Sequence, residues 1–103
     1  MVRFNWDERK NRANRRKHGV SFEAATRVFR DRFVIFEQDR EVQGEPRWQA
    51  IGRANPDSSE LLLLLVAHTY EEEEKEERIR IVSARKATPG EERAYFEQFH
   101  AGG

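Results

Sequence analysis

The feature that most constrains this chain is its longest uninterrupted apolar run, Leu61-Leu62-Leu63-Leu64-Leu65-Val66-Ala67. Its seven residues fall far short of the roughly 20 that a membrane-crossing helix needs. Leucines on successive positions make a strand apolar on both faces, and such a strand belongs in the middle of a sheet; length alone leaves a buried helix open. Leu61 to Tyr70 is therefore expected as a central strand.

A second stretch, Arg78 to Ala87, alternates apolar and cationic residues in the period of a half-buried strand. Ile79 and Ile81 point one way, and Arg78, Arg80 and Val82 the other, because side chains alternate across a sheet. Ser83 and Arg85 share parity with the isoleucines, so they leave the core only if the strand ends or bulges there. A cationic strand face calls for an anionic partner.

The other elements follow in order. Val2 to Trp6 reads as an edge strand or extended arm. Asp7 can cap a helix running to Lys17, with Gly19 suited to the left-handed residue that ends it. Ser21 starts a second helix whose Phe22, Ala25, Val28 and Phe29 recur at helical spacing until Asp31. Phe33 to Glu37 and Arg47 to Ala54 read as strands around a polar turn at Asp39 to Pro46. Thr88-Pro89-Gly90-Glu91 carries the signs of a capping box, opening a helix with Tyr95, Phe96 and Phe99, and Gly102 and Gly103 read as its frayed tail. The expected fold is one α+β domain over residues 1–103: two N-terminal helices, an antiparallel meander of three or four strands, and a C-terminal helix, with the helices mainly on one face.

Charge is segregated. Nineteen Lys and Arg balance nineteen Asp and Glu, but Glu71 to Glu77 holds six of the glutamates; without that run, 18 cations face 13 acids. Arg9, Lys10, Arg12, Arg15, Arg16 and Lys17 crowd into nine residues, a density that attracts phosphate backbones without sequence specificity or simply solvates a helix face. The absence of cysteine excludes disulfides and thiolate metal sites. The opening residues hold no apolar signal segment, so the expected location is the cytoplasm, with no membrane partner.

Six blocks, Phe4-Asn5-Trp6-Asp7, Lys17-His18-Gly19-Val20-Ser21-Phe22, Val28-Phe29-Arg30-Asp31, Ile51-Gly52, His68-Thr69 and Ile79-Arg80-Ile81-Val82-Ser83-Ala84-Arg85, occur in an order that resembles BrnT-type toxins of bacterial toxin–antitoxin pairs. The resemblance runs from Phe4 to about Tyr95. It implies a RelE-like α+β fold, ribonuclease activity that inhibits translation, and neutralisation by a BrnA-like antitoxin with a ribbon-helix-helix part. It also implies DNA contact only through that antitoxin, and a dimer or 2:2 complex. The acidic run departs from the family pattern, which uses a shorter and less acidic turn; it is expected as a solvated hairpin tip.

Metal-free RNA cleavage needs a base for the 2′-hydroxyl proton, cations for the charge on phosphorus, and an acid for the leaving 5′-oxygen. The candidates are His18 and His68 for proton transfer, Arg80 and Arg53 for phosphate, and Lys17, Arg85 and Tyr95 as supporting donors. His18, His68, Arg80 and Arg85 are also signature positions of the resemblance. Each has a structural alternative. Lys17 and His18 suit a helix C-terminus, His68 suits a hydrogen-bonded core position, and Arg80 suits a cross-strand ion pair. Arg53 is placed to face solvent, Arg85 to meet an acid on the last helix, and Tyr95 to pack in the core.

The three histidines are far apart and no metal-ligand spacing occurs, so neither metal nor cofactor is expected. Two other classes remain: a non-catalytic module that binds RNA or protein, and a DNA-binding regulator built on the paired N-terminal helices. The second of those helices carries little charge for reading base edges.

Overall fold

In the computed structural model, which describes residues 1–101, Asp7 starts the first helix as its side chain predicts. Its Oδ1 accepts the backbone N–H groups of Arg9 at 2.8 Å and Lys10 at 3.4 Å. Helix α1 (Glu8–His18) then runs to Gly19, whose φ of 71° closes it in the left-handed conformation. Ser21 caps α2 (Phe22–Arg27) by accepting the N–H of Ala24 at 3.1 Å. This helix is shorter than expected, because the chain tightens into a 3₁₀ turn over Val28–Arg30 before reaching Asp31. Gly52 explains the tight fit of that turn: a Cβ there would stand 2.9 Å from Val28 Cγ1.

Five strands form one mixed sheet: β1 (Val2–Asn5), β2 (Ile35–Val42), β3 (Glu45–Arg53), β4 (Leu63–Glu73) and β5 (Glu76–Lys86), in the order β1-β5-β4-β3-β2. Strands β2 to β5 are the expected antiparallel meander. The correction is β1, which pairs parallel to β5 and makes a fifth strand. The acidic run forms the exposed tip of the β4–β5 hairpin, as expected. Glu71–Glu73 and Glu76–Glu77 continue β4 and β5, leaving Glu74 and Lys75 as the turn. Arg78 stabilises the hairpin from its own strand, bonded to Glu76 at 3.0 Å and near Glu73 at 3.5 Å.

The third helix, α3 (Pro89–Ala101), opens on a reciprocal capping box: Glu91 N–H donates to Thr88 Oγ1 at 3.2 Å, and Thr88 N–H donates to Glu91 Oε1 at 2.8 Å. Gly102 and Gly103, read as a frayed tail, lie outside the described residues. Contrary to the expected layout, the helices are split between the two faces. Phe22, Ala25 and Val28 pack with Leu64, Val66, Ile79, Ile81 and Ala84, whereas Tyr95 and Phe96 pack with Ile51, Leu63 and Leu65. Leu63 and Leu65 alternate with Leu64 and Val66, so both faces of β4 require cover and a helix comes to each.

A bulge completes the core. Ala67 pairs with Ser83 and His68 with Ile81, so Val82 is an extra residue in β5. It reverses the parity of the strand. Ile79, Ile81 and Ala84 consequently all face α1 and α2, while Ser83 and Arg85 turn to the α3 side, the exit that their parity demanded.

Candidate functional site

The α3 face is only partly covered by its helix, and beyond the cover a row of polar residues crosses the sheet. Asn5 pairs with Arg80 on one side, and Thr69 pairs with Arg80 on the other. On the next strand Arg47 precedes Trp48, the partner of His68, so alternation brings Arg47 to the same face as Thr69. Asn5, Glu45, Thr69, Glu71, Arg78 and Arg80 line a depression of about 90 Å³, enough for a phosphate group with water.

Arg80 projects away from Ile79 and Ile81, as its strand position requires. Its Nη2 donates to Glu45 Oε1 at 2.5 Å, an ion pair bridging β5 to β3 across the intervening β4. A guanidinium has five N–H donors, so this one bond leaves others for an anion. The Nε of Arg47 is buried beside this face with no hydrogen-bond partner among the described residues, and Arg47 does not line the depression.

The other sequence candidates are spread over the molecule. Arg85 shares the face of Arg80 but lies under α3, where Nη1 and Nη2 donate to the two carboxylate oxygens of Glu91 at 2.8 and 2.9 Å. That fork raises the guanidinium above its ordinary pKa and holds Glu91 below the usual carboxylate range. Arg53 also lies on this face. Its N–H donates to Asp31 Oδ2 at 2.8 Å, and its Nη2 donates to the carbonyls of Ser58 and Glu60, fastening the loop after β3. Tyr95 is buried and donates its hydroxyl to Asp31 Oδ2 at 2.7 Å. Burial, and then this carboxylate, push the phenol well above its ordinary value.

His68 faces the opposite side of the sheet. It is 2% exposed, with its ring edge-on to Phe29 at 4.9 Å and to Phe36 at 6.0 Å. Burial holds the imidazole below its ordinary pKa. Its Nδ1 lies 3.2 Å from the carbonyl of Val66, which can only accept, so Nδ1 carries the proton of the neutral ring. With Phe4, Phe29, Phe36, Trp48 and Tyr70 it lines an aromatic cleft of about 590 Å³. Lys17 and His18 end α1 on this same side, exposed and half-buried respectively. The structure therefore groups Arg80 with Arg85, Arg53 and Tyr95 on one face, and His68 with His18 and Lys17 on the other.

Sequence reasoning missed Glu45 and Arg47, which sit in or beside a segment read as a polar turn; nothing local marks a residue whose partner is 35 positions away. It also missed Asn14, whose Nδ2 donates to the carbonyls of Val20 and Ala84 at 2.9 and 2.7 Å, locking α1 onto β5. Among the described residues no group of three His, Asp or Glu is placed to hold a metal, and no helix is long and apolar enough to cross a membrane.

Compared with known proteins, residues 6–91 match the family model described as ribonuclease toxin, BrnT, of type II toxin-antitoxin system. No curated protein matches the chain.

Proposed function

The chain belongs to the BrnT family of ribonuclease toxins of type II toxin–antitoxin systems, and from that premise we propose that it cleaves RNA without a metal ion on the strand face bearing Arg80, thereby inhibiting translation. The observation that carries the reading is the Arg80–Glu45 pair at 2.5 Å beside a phosphate-sized depression. A carboxylate next to a guanidinium supplies two of the needs of 2′-hydroxyl attack: a base and a fixed positive charge.

In the proposed reaction Glu45 takes the proton of the 2′-hydroxyl as its oxygen attacks the adjacent phosphorus. Arg80 holds the phosphate oxygens while charge accumulates on them. The P–O5′ bond breaks, the 5′-oxygen takes a proton from water, the hydroxide so formed takes the proton held by Glu45, and a 2′,3′-cyclic phosphate remains. Arg53, Arg85 and Tyr95 support the face through the loop after β3 and through α3. The partner is a BrnA-like antitoxin whose ribbon-helix-helix part carries the DNA contacts, and it neutralises the toxin by covering the cationic strand face, in a 2:2 assembly.

One observation favours a second reading, a non-catalytic RNA-binding relative: His68, a candidate for proton transfer, is buried among aromatic rings on the face away from Arg80. The experiment is incubation of purified protein with labelled RNA in the presence of a chelator, alongside Glu45→Gln and Arg80→Ala. Discrete products ending in 2′,3′-cyclic phosphate, lost in both variants, are expected. Intact RNA with retained binding would replace the ribonuclease reading with the second one.

A further inference from the structure

We propose that the outer face of α1 is a second RNA-binding surface, one that grips the phosphate backbone of a folded RNA on the side of the molecule away from Arg80. The proposal rests on the ribonuclease reading only for the choice of RNA as the polyanion. The surface itself stands on charge. Arg9, Lys10, Arg12, Arg15, Arg16 and Lys17 are all exposed, and among the described residues none of their side chains forms an ion pair or a hydrogen bond. The acids that start or touch this helix are occupied otherwise: Asp7 accepts the backbone N–H groups of Arg9 and Lys10, Glu8 accepts from Trp6 Nε1 and Asn11 Nδ2, and Glu23 accepts from Asn11 Nδ2.

Fold stability does not account for this arrangement. Cations in the last turn of a helix favour its negative end, which explains Arg15, Arg16 and Lys17. Arg9 and Lys10 sit in the first turn, where positive charge opposes the helix dipole. Arg9, Arg12 and Arg16 also stack at spacings of three and four, where like charges repel. A group of charges kept against both effects, with no ion pair to any of them among the described residues, marks a surface whose partner is external.

The chemistry of the surface selects a nucleic acid over a protein. Protein interfaces are organised around buried aromatic and aliphatic anchors, and Lys is depleted from them. Between Arg9 and Lys17 the only exposed apolar residue is Ala13. A phosphate backbone needs nothing but positioned cations, and four of the six are arginines, whose fork engages two oxygens together. Arg9, Arg12 and Arg16 form a stripe about 10 Å long at 1.5 Å per residue. Beside it Arg12, Arg15 and Arg16 line a shallow depression of about 330 Å³. Asn11 and Asn14, the amides of the helix, are buried against the body, so the outer face offers charges alone, which fits shape-directed contact to the phosphates of an A-form duplex.

The test is the salt dependence of binding to a 2′-O-methyl RNA hairpin, which cannot be cut, by the full chain and by a triple variant carrying Arg9→Gln, Arg12→Gln and Arg16→Gln. The slope of log affinity against log salt should fall by about 2 to 3, since each lost phosphate contact removes about 0.9. Cleavage of a short single-stranded RNA should stay at the parent rate, and the melting temperature should hold or rise. An unchanged slope in the triple variant overturns the surface. Duplex DNA that displaces the hairpin at equal or lower concentration reassigns the surface to DNA and overturns the choice of RNA; a polyglutamate that does so reassigns it to an acidic protein. A wild-type chain that cuts no RNA while the slope still falls overturns the ribonuclease reading and sustains this one.

Discussion

His68 and Arg80 stand on neighbouring rungs of the β4–β5 ladder, His68 opposite Ile81 and Arg80 opposite Thr69, and they project from opposite faces of the sheet. No single phosphate can touch both. The molecule thus separates a buried, neutral imidazole among aromatic rings from an exposed guanidinium beside a carboxylate. The two residues should respond to substitution in opposite ways.

Arg80→Ala should abolish toxicity and lower RNA cleavage by about a hundredfold or more, the usual cost of removing one donor that stabilises transition-state charge. Its ion pair with Glu45 is largely exposed, and such pairs contribute about 0 to 1 kcal/mol, so the melting temperature should stay nearly constant. Growth arrest on induction and a thermal melt of the purified variant check the two halves. Full toxicity from a folded variant removes the assignment.

His68→Ala should do the reverse. The truncation empties space beside Phe29 and Phe36 and costs about 2 to 4 kcal/mol, with cleavage per folded molecule retained. The pH dependence carries a sign. A buried His held below its ordinary pKa binds a proton more readily after unfolding, so stability rises with pH through this window and is lost on acidification below about 6.5. Melts between pH 7 and 5.5 should show that loss in the parent chain and a flatter profile in His68→Phe. Equal slopes would mean that His68 is not the titrating group.

Much of this architecture is legible in the residues, and the gaps have physical causes. Capping is local, so Asp7, Ser21 and the Thr88–Glu91 box mark three helix starts where the structure has them. The bulge at Val82 is foreshadowed by parity alone, because Ser83 and Arg85 could not both follow the isoleucines into the core. The leucine run likewise demanded cover on two faces, a requirement that a layout with helices on one face leaves unmet. The parallel pairing of β1 with β5 joins residues about 75 positions apart, and alternation within a strand does not name its neighbour. For the same reason Glu45 and Arg47 escaped notice. A strand pattern tells which residues share a face of their own strand, whereas a site built across β1, β5, β4 and β3 depends on register.

Arg85 is a case where one side chain suits two roles, and its fork to Glu91 suggests how to separate them. The two bonds tie the end of β5 to the first turn of α3, whose cap also depends on Glu91. Arg85→Ala should therefore destabilise by about 1 kcal/mol and speed hydrogen exchange in the first turn of α3, while cleavage falls less than tenfold. A hundredfold loss of cleavage without faster exchange would make Arg85 a catalytic residue.

Asp31 concentrates the last tertiary link, and Tyr95 is the partner that tests it. The carboxylate is buried; Oδ1 accepts Phe33 N–H at 2.9 Å, and Oδ2 accepts both Arg53 N–H at 2.8 Å and the Tyr95 hydroxyl at 2.7 Å. It joins the end of the 3₁₀ turn, β3 and α3 at one point. Tyr95→Phe keeps the ring against Ile51 and Leu65 but removes one of three donors, at a cost of about 1 to 2 kcal/mol. In a domain of this size that lowers the melting temperature by roughly 5 to 10 °C. The phenol stays protonated through the neutral range, so the drop should be the same at pH 6 and pH 8. Asp31→Ala should cost more, because it strands two backbone donors and the hydroxyl together. If Tyr95 instead donates to RNA, the phenylalanine variant will lose cleavage at temperatures where it is still fully folded. A hydroxyl committed to Asp31 predicts the parent rate there.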